Sequence, residues 1–361
     1  MKEPVLIAAP YTHVNNSVSR TMGLVMLALL PATAFGLTLF GWPAIFLFAV
    51  TLGSALAAEA ISLRLAGRPV RLYLMDGSAL LSGWLLAMTL PPWAPWWIGV
   101  VGAFLAIVIG KQVFGGLGQN LFNPAMVARV ALLISFPLEM TLFTAPSPLF
   151  SANAPGLLEG LALTFGGSNS IDAVASATPL GHFKTELGRG LNLDPAAADS
   201  GHLWQLAWGQ IPGSLGETSA LLLLLGGLFL IYKKVIGWHI PLAMLAGLAL
   251  PAAIFHWLEP GRYLDAMTHL MSGAAMLGAF FIATDLVTSP VSKGGQLLFG
   301  AGCGLLVYVI RTWAGYPEGV AFAVMLMNAC TPLIDHYLKP RIYGRDRRGE
   351  PLDYADRKEN A

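Results

Sequence analysis

Residues 172–184 read DAVASATPLGHFK, with one threonine, Thr178, set among small residues and followed by Pro179. A threonine hydroxyl serves as a nucleophile or as the acceptor of a modifying group. Proline biases the preceding residue toward extended backbone, and Ser176 and Ala177 add little bulk. The stretch therefore predicts an extended, uncrowded hydroxyl that a modifying enzyme can grip. A plain small-residue linker accounts for the same letters. A second group sits in apolar text: Lys111 closes one apolar segment, Asn120 and Asn123 frame the start of the next, and Arg129 lies inside it, in PAMVARVALLIS. A charge at the bilayer centre costs about 2.5–3.5 kcal/mol on insertion scales, so Arg129 must face protein, water or an anion. GGLGQN ahead of NPAM reads as a helix start, with Asn123 as the cap and Pro124 in the first turn. The N–H groups at such an end favour anionic or polar ligand edges. Lys111, Asn120, Asn123 and Arg129 are thus expected to form one ligand or cofactor pocket. The alternative is capping plus an arginine that snorkels to the interface.

Other chemistry is sparse. Asp76, Asp285 and Asp335 sit at segment ends and Glu59 near one; they are either solvated caps or carboxylates that hold a cation or relay protons. No Walker, CxxC, HExxH or GxGxxG pattern occurs, and the seven histidines show no metal-ligand spacing. Cys303 and Cys330 lie in apolar runs and are expected as buried free thiols rather than a disulfide. A net charge of +1 argues against a nucleic-acid partner.

The elements that must position these residues are membrane helices. Of the 361 residues 55% are hydrophobic and 11% charged, against about 25% charged in soluble domains. A span needs roughly 20 apolar residues. Segments 21–40, 43–63, 77–90, 96–114, 124–136, 218–232, 238–257, 267–283, 296–310 and 318–335 give ten, of which 77–90 and 124–136 are too short to cross without protein neighbours. MKEPVLIAAPYTHVNNSVSR begins polar and is not expected to be a cleavable signal. Arg20, Arg64, Arg68, Arg71, Lys233, Lys234 and the basic residues from Lys339 to Arg348 all fall on one side if segments alternate. That side is read as the cytoplasm, with both termini on it. The loop 137–213, with two basic and six acidic residues, falls outside. LSGWLLAMTLPP (81–92) is echoed by MSGAAMLGAFF (271–281), and GGLGQNLFNPAM (115–126) by GYPEGVAFAVMLMNACTP (315–332). Five segments per half make the second half insert upside down, the inverted-repeat plan of transporter cores. The expected fold is an all-α integral membrane protein of about ten transmembrane segments in two inverted five-helix repeats. Its parts are 1–136 (first repeat), 137–213 (periplasmic loop), 214–337 (second repeat) and 338–361 (cytoplasmic tail).

The chain resembles the D subunit of the Rnf (Rsx) electron-transport complex and, more distantly, the B subunit of the sodium-pumping NADH:quinone reductase. The resemblance runs end to end. It is carried by APYTHVNNSVSR (9–20), LPPWAPWW (90–97), KQVFGGLGQNLFNPAMVARVALLISFP (111–137), DAVASATPL (172–180), GWHIPL (237–242), HLMSGAAMLGAFFIATDLVTSP (269–290) and GYPEGVAFAVMLMNACTPLID (315–335). It implies FMN attached by phosphodiester to the threonine of an S-x-A-T motif, here Thr178, by a separate flavin transferase. Where the family usually shows Ser, this chain has Ala175. It also implies a second, non-covalent flavin, riboflavin, for which the GGLGQNLFNPA region and its repeat mate are the expected pocket. The implied activity is that of a redox subunit in the cell inner membrane. It relays electrons between ferredoxin- and NAD-linked partners of A, B, C, E and G type, including an FMN-bearing periplasmic subunit, coupled to Na⁺ or H⁺ movement. The alternatives are a B-type quinone-reductase subunit and a cofactor-free urea-channel-like transporter.

Overall fold

The computed structural model describes residues 17–151, 154–166, 175–190, 200–340, 343–344 and 350. Asp172, residues 9–16 of the N-terminal motif and most of the 338–361 tail lie outside the described residues. In chain order the helices begin with α1 (Val18–Leu65), α2 (Val70–Leu74), α3 (Ser78–Thr89), α4 (Trp96–Phe104, continuing as a π-helical turn Leu105–Gln112) and α5 (Pro124–Ser135). Next come α6 (Pro137–Thr141), α7 (Leu157–Phe165), α8 (Pro179–Gly188) and α9 (Ser200–Trp208). The last group is α10 (Ala220–Tyr232), α11 (His239–Leu258), α12 (Ala266–Met271), α13 (Ala275–Leu277, continuing as a π-helical turn Gly278–Ile282), α14 (Lys293–Trp313) and α15 (Val320–Tyr337). By length and composition α1, α11 and α14 can each cross a membrane.

α1 is two helices. Gly41, at φ 74, breaks it where residues 21–40 and 43–63 separate in the sequence; positive φ is open to glycine because it lacks a Cβ. The break reverses the chain. Ser19 Oγ donates to the Met75 carbonyl at 3.1 Å, and Glu59 meets Lys111 beside Ser78, so both ends of α1 share one end of the bundle. Trp93 Nε1 donates to the Phe40 carbonyl at 3.0 Å at the other end. Arg68 Nη1 reaches the Gly115 carbonyl at 2.8 Å, and Lys233 and Lys234 follow α10 just before Val235, which lines a cavity with Lys111. Basic residues thus gather at the first end, here called the basic end; Thr178 stands at the far end.

Two 12-residue helices, α3 and α5, rise about 18 Å at 1.5 Å per residue. They are buried among longer neighbours, as helices too short to span must be. The apolar run 267–283 is not one helix. It breaks at Ser272–Ala274, where Gly273 has φ 63, and resumes as α13. Packing between α11 and α14 rests on small residues: a Cβ on Gly247 would touch the Ala301 carbonyl at 2.5 Å, one on Gly300 the Ile240 carbonyl at 2.6 Å, and one on Gly304 the Met244 carbonyl. Such residues let membrane helices approach closely. Both cysteines are free, Cys303 buried as expected but Cys330 exposed.

Gly304→Ala is expected to cost about 1–3 kcal/mol by overpacking and to lower the thermal midpoint of the detergent-solubilised chain. Gly23→Ala, whose Cβ meets nothing within 4 Å, leaves the midpoint unchanged or raised.

Candidate functional site

The expected four-residue pocket divides in two. Lys111, Asn120 and Asn123 line a cavity of about 810 Å³ at the basic end. Arg129, six residues beyond Asn123 and about 9 Å further along the helix axis, opens instead into a cavity of about 500 Å³ at the far end, shared with Thr178. Both volumes include space open to solvent. A string of residues close in sequence is divided between two pockets because α5 runs between them.

At the basic end, Asn123 behaves as its sequence predicts. Its Oδ1 accepts from the Ala125 and Met126 N–H groups at 3.1 and 3.4 Å, with Pro124 in the first turn. Its Nδ2 donates to the Ile282 carbonyl at 3.4 Å, tying α5 to the π-helical turn after α13. The second π-helical turn, after α4, ends at Lys111 and Gln112. Both turns face this cavity, through Lys111 on one and Phe280 and Phe281 on the other; π-turns are frequent at functional sites. Lys111 is buried and donates to Glu59 Oε1 and Ser78 Oγ, both at 2.8 Å. Glu59 is therefore a buried partner rather than a solvated cap. Asp76, Asp285 and Asp335 tie local backbone: Asp76 accepts from Ser78 ahead of α3, Asp285 from Val287 and Thr288 in a turn beside the same cavity, and Asp335, within α15, from the Val291 N–H. Among the described residues no group of three or more His, Cys, Asp and Glu side chains is arranged to hold a metal ion.

At the far end, Thr178 is extended as Pro179 requires (φ −68, ψ 155). It is not uncrowded: the residue is 8% exposed, and its Oγ1 accepts the Gly181 N–H at 3.0 Å as the cap of α8. The following proline that extends the threonine also starts a helix, and the hydroxyl closes it. Ala175 and Ser176 pair antiparallel with Thr144 and Phe143, which fixes the approach of the chain. α8 is fastened by Lys184, whose Nζ donates to the carbonyls of Ile310, Arg311 and Tyr316 at 3.0, 3.2 and 2.9 Å. Burial pulls the Lys184 pKa below its ordinary value.

Three charged residues here were missed as site residues. Arg311, at the end of α14, is fully buried; it donates to the His269 and Ser272 carbonyls at 2.6 and 3.0 Å and pairs with Glu318 at 2.9 Å. Glu318 also accepts from the N–H groups of Ala274, Gly319 and Val320. Glu217, whose Oε1 accepts from Ser214 Oγ at 2.9 Å, lines the cavity with Glu318, Thr178 and Arg129. One signal pointed to Arg311: it closes the ninth apolar segment as Lys111 closes the fourth, the positions that the expected repeat equates.

Residues 5–344 match the family model described as "NQR2, RnfD, RnfE family". The chain belongs to this family. Its relatives include a protein of Halorhodospira halophila named as the D subunit of an ion-translocating oxidoreductase complex, 56% identical over 96% of this chain and 97% of that protein. The proteins of the same name from Stutzerimonas stutzeri and Rhodobacter capsulatus are 57% identical over 94% of this chain and 96% of that one, and 52% over 84% of both. The family match spans both pockets, so the two cavities belong to one family domain rather than to an appended module.

Lys111→Met leaves Glu59 buried without its counter-charge and is expected to cost about 3–5 kcal/mol. Adding Glu59→Gln recovers most of the loss, read as the thermal midpoint in detergent across the double-mutant cycle.

Proposed function

We propose that this chain is the membrane-embedded redox subunit of an ion-translocating oxidoreductase complex, and that its two cavities hold flavins. Family membership, and relatives named as D subunits of such a complex, support the first part. A subunit implies others, which supply the ferredoxin- and NAD-linked steps that this chain has no motif for.

The observation that carries the second part is the setting of Thr178. Its Oγ1 lies at the N-terminus of a ten-residue helix. Helix N-termini favour phosphate through exposed N–H groups and the aligned peptide dipoles. Gly181 adds room: a Cβ there would press on Thr178 Oγ1 at 3.1 Å. Arg129 supplies positive charge in the same cavity. A phosphodiester on Thr178 therefore fits the residues present: Thr178 and the Gly181 turn would hold it, and Arg129 would face the FMN across the cavity. FMN supplies one- and two-electron transfer. The protein's part is to keep the phosphate at a polar helix end, to tie α8 to α14 through Lys184, and to shield the cavity with Tyr316 and Phe322.

The basic-end cavity suits an uncharged flavin. Its walls are mostly apolar, with the Asn120 and Asn123 amides, the hydroxyls of Thr21, Ser78, Ser82 and Thr284, and one charge of each sign, Lys111 and Asp285. Riboflavin lacks the phosphate and so loses less on burial. The basic end faces the cytoplasm of an inner-membrane protein on the positive-inside rule, and Thr178 faces the periplasm. A flavin in each cavity would have α5 between the two, and in the complex their electron transfer would be coupled to Na⁺ or H⁺ movement.

Co-production with a flavin transferase, denaturation and in-gel imaging under ultraviolet light test the attachment. The wild-type band fluoresces and Thr178→Val is dark; a fluorescent Thr178→Val band moves the attachment elsewhere. Asn120→Ala with Asn123→Ala keeps the fluorescent band but loses the flavin released on denaturation. Unchanged released flavin removes riboflavin from the basic-end cavity.

A further inference from the structure

Arg129 differs from the other buried cations of the interior. Lys111 meets a carboxylate and a hydroxyl, and Arg311 meets two carbonyls and a carboxylate. Arg129 is 7% exposed and, among the described residues, its guanidinium finds one hydrogen-bonding atom, Met140 Sδ at 3.6 Å. A thioether is a weak acceptor, and a guanidinium keeps its charge in proteins. The side chain lines the cavity that it shares with Thr178.

The charges acting on Arg129 are Glu217 and Glu318. Glu318 is already engaged by Arg311 and three backbone N–H groups. Glu217, bonded to Ser214, is the remaining opposing carboxylate of this cavity. Among the described residues Arg129 thus makes no ion pair of its own: Glu318 is engaged by Arg311 and Glu217 by Ser214.

We propose that Arg129 is the counter-charge of the Thr178 cavity and raises the reduction potential of the flavin carried there. The inference rests on the flavin reading of Thr178. An isoalloxazine that takes two electrons and one proton from a reduced donor gains one net negative charge, while the donor is oxidised by two electrons. A fixed positive charge favours that product over the oxidised ring. The attraction falls only as the inverse of distance and is weakly screened in a buried site, so it is felt across the cavity without a direct hydrogen bond.

The test uses the full chain co-produced with a flavin transferase, purified in detergent and titrated with dithionite while its absorbance is followed. Subtracting the Thr178→Val titration isolates the covalent flavin. Arg129→Met is expected to keep the fluorescent band and to shift the potential downward. Arg129→Lys, which keeps the charge, stays close to wild type, an outcome that a merely structural role for the arginine does not give. Burial raises the Glu217 carboxyl to about 7, so at pH 8.5 it is ionised, and Glu217→Gln then removes the opposing charge and shifts the potential upward. A fluorescent Arg129→Met chain with the wild-type potential overturns the inference alone. If Arg129→Met does not accumulate, it is combined with Glu217→Gln: a potential below that of Glu217→Gln alone supports the inference, and an equal or higher one overturns it. A wild-type chain with no fluorescent band overturns the flavin reading and this inference with it.

Discussion

Charge buried in hydrocarbon has to be answered by other charge or by aligned backbone dipoles, and the broken helices of this protein are where those answers are found. At the far end, the break at Ser272–Ala274 leaves carbonyls of Ser272 and His269 that Arg311 collects, and an Ala274 N–H that Glu318 collects. Gly273 makes the break sterically possible, since a Cβ there would run into Glu318, Arg311 and Leu180. The break and the ion pair need each other: without the pair the backbone groups are orphaned, and without the break the pair has no ligands. At the basic end, Lys111 and Glu59 meet at the first residue of α3.

Short helices held in this way put their ends inside the protein, where cavities can use them. α5 starts at the basic-end cavity and carries Arg129 into the far one. The two cavities thus share one short helix, and each opens toward a different end of the bundle. α8 repeats the device outside the bundle, with its N-terminus at Thr178 and its body fastened by Lys184 to the three carbonyls where α14 ends. A hydroxyl on a free loop would wander; that of Thr178 is held by the helix that it caps.

Much of this was legible. The reversal at Gly41, the two short helices and the Asn123 cap followed from apolar run length and from asparagine ahead of proline. Hydropathy sees run lengths, and caps depend on neighbours only a few residues away. What it could not see was direction. Lys111, Asn120, Asn123 and Arg129 read as one cluster because they are near in sequence, yet a helix carries its sixth residue about 9 Å along its axis and into another cavity. Thr178 read as free because a small-residue stretch does not reveal whether its hydroxyl caps the helix that follows. Arg311 and Glu318 drew no reading, because they fall at the ends of apolar runs and run length cannot distinguish a charge at the interface from one folded back onto a broken neighbour.

The most direct measurement is mass spectrometry of the proteolytic peptide that contains Thr178, taken from the chain in its complex. The account predicts a peptide heavier by FMN less one water, with fragmentation placing the addition on Thr178. An unmodified peptide from a complex whose other flavin attachments are intact, or the addition on another residue, would contradict it.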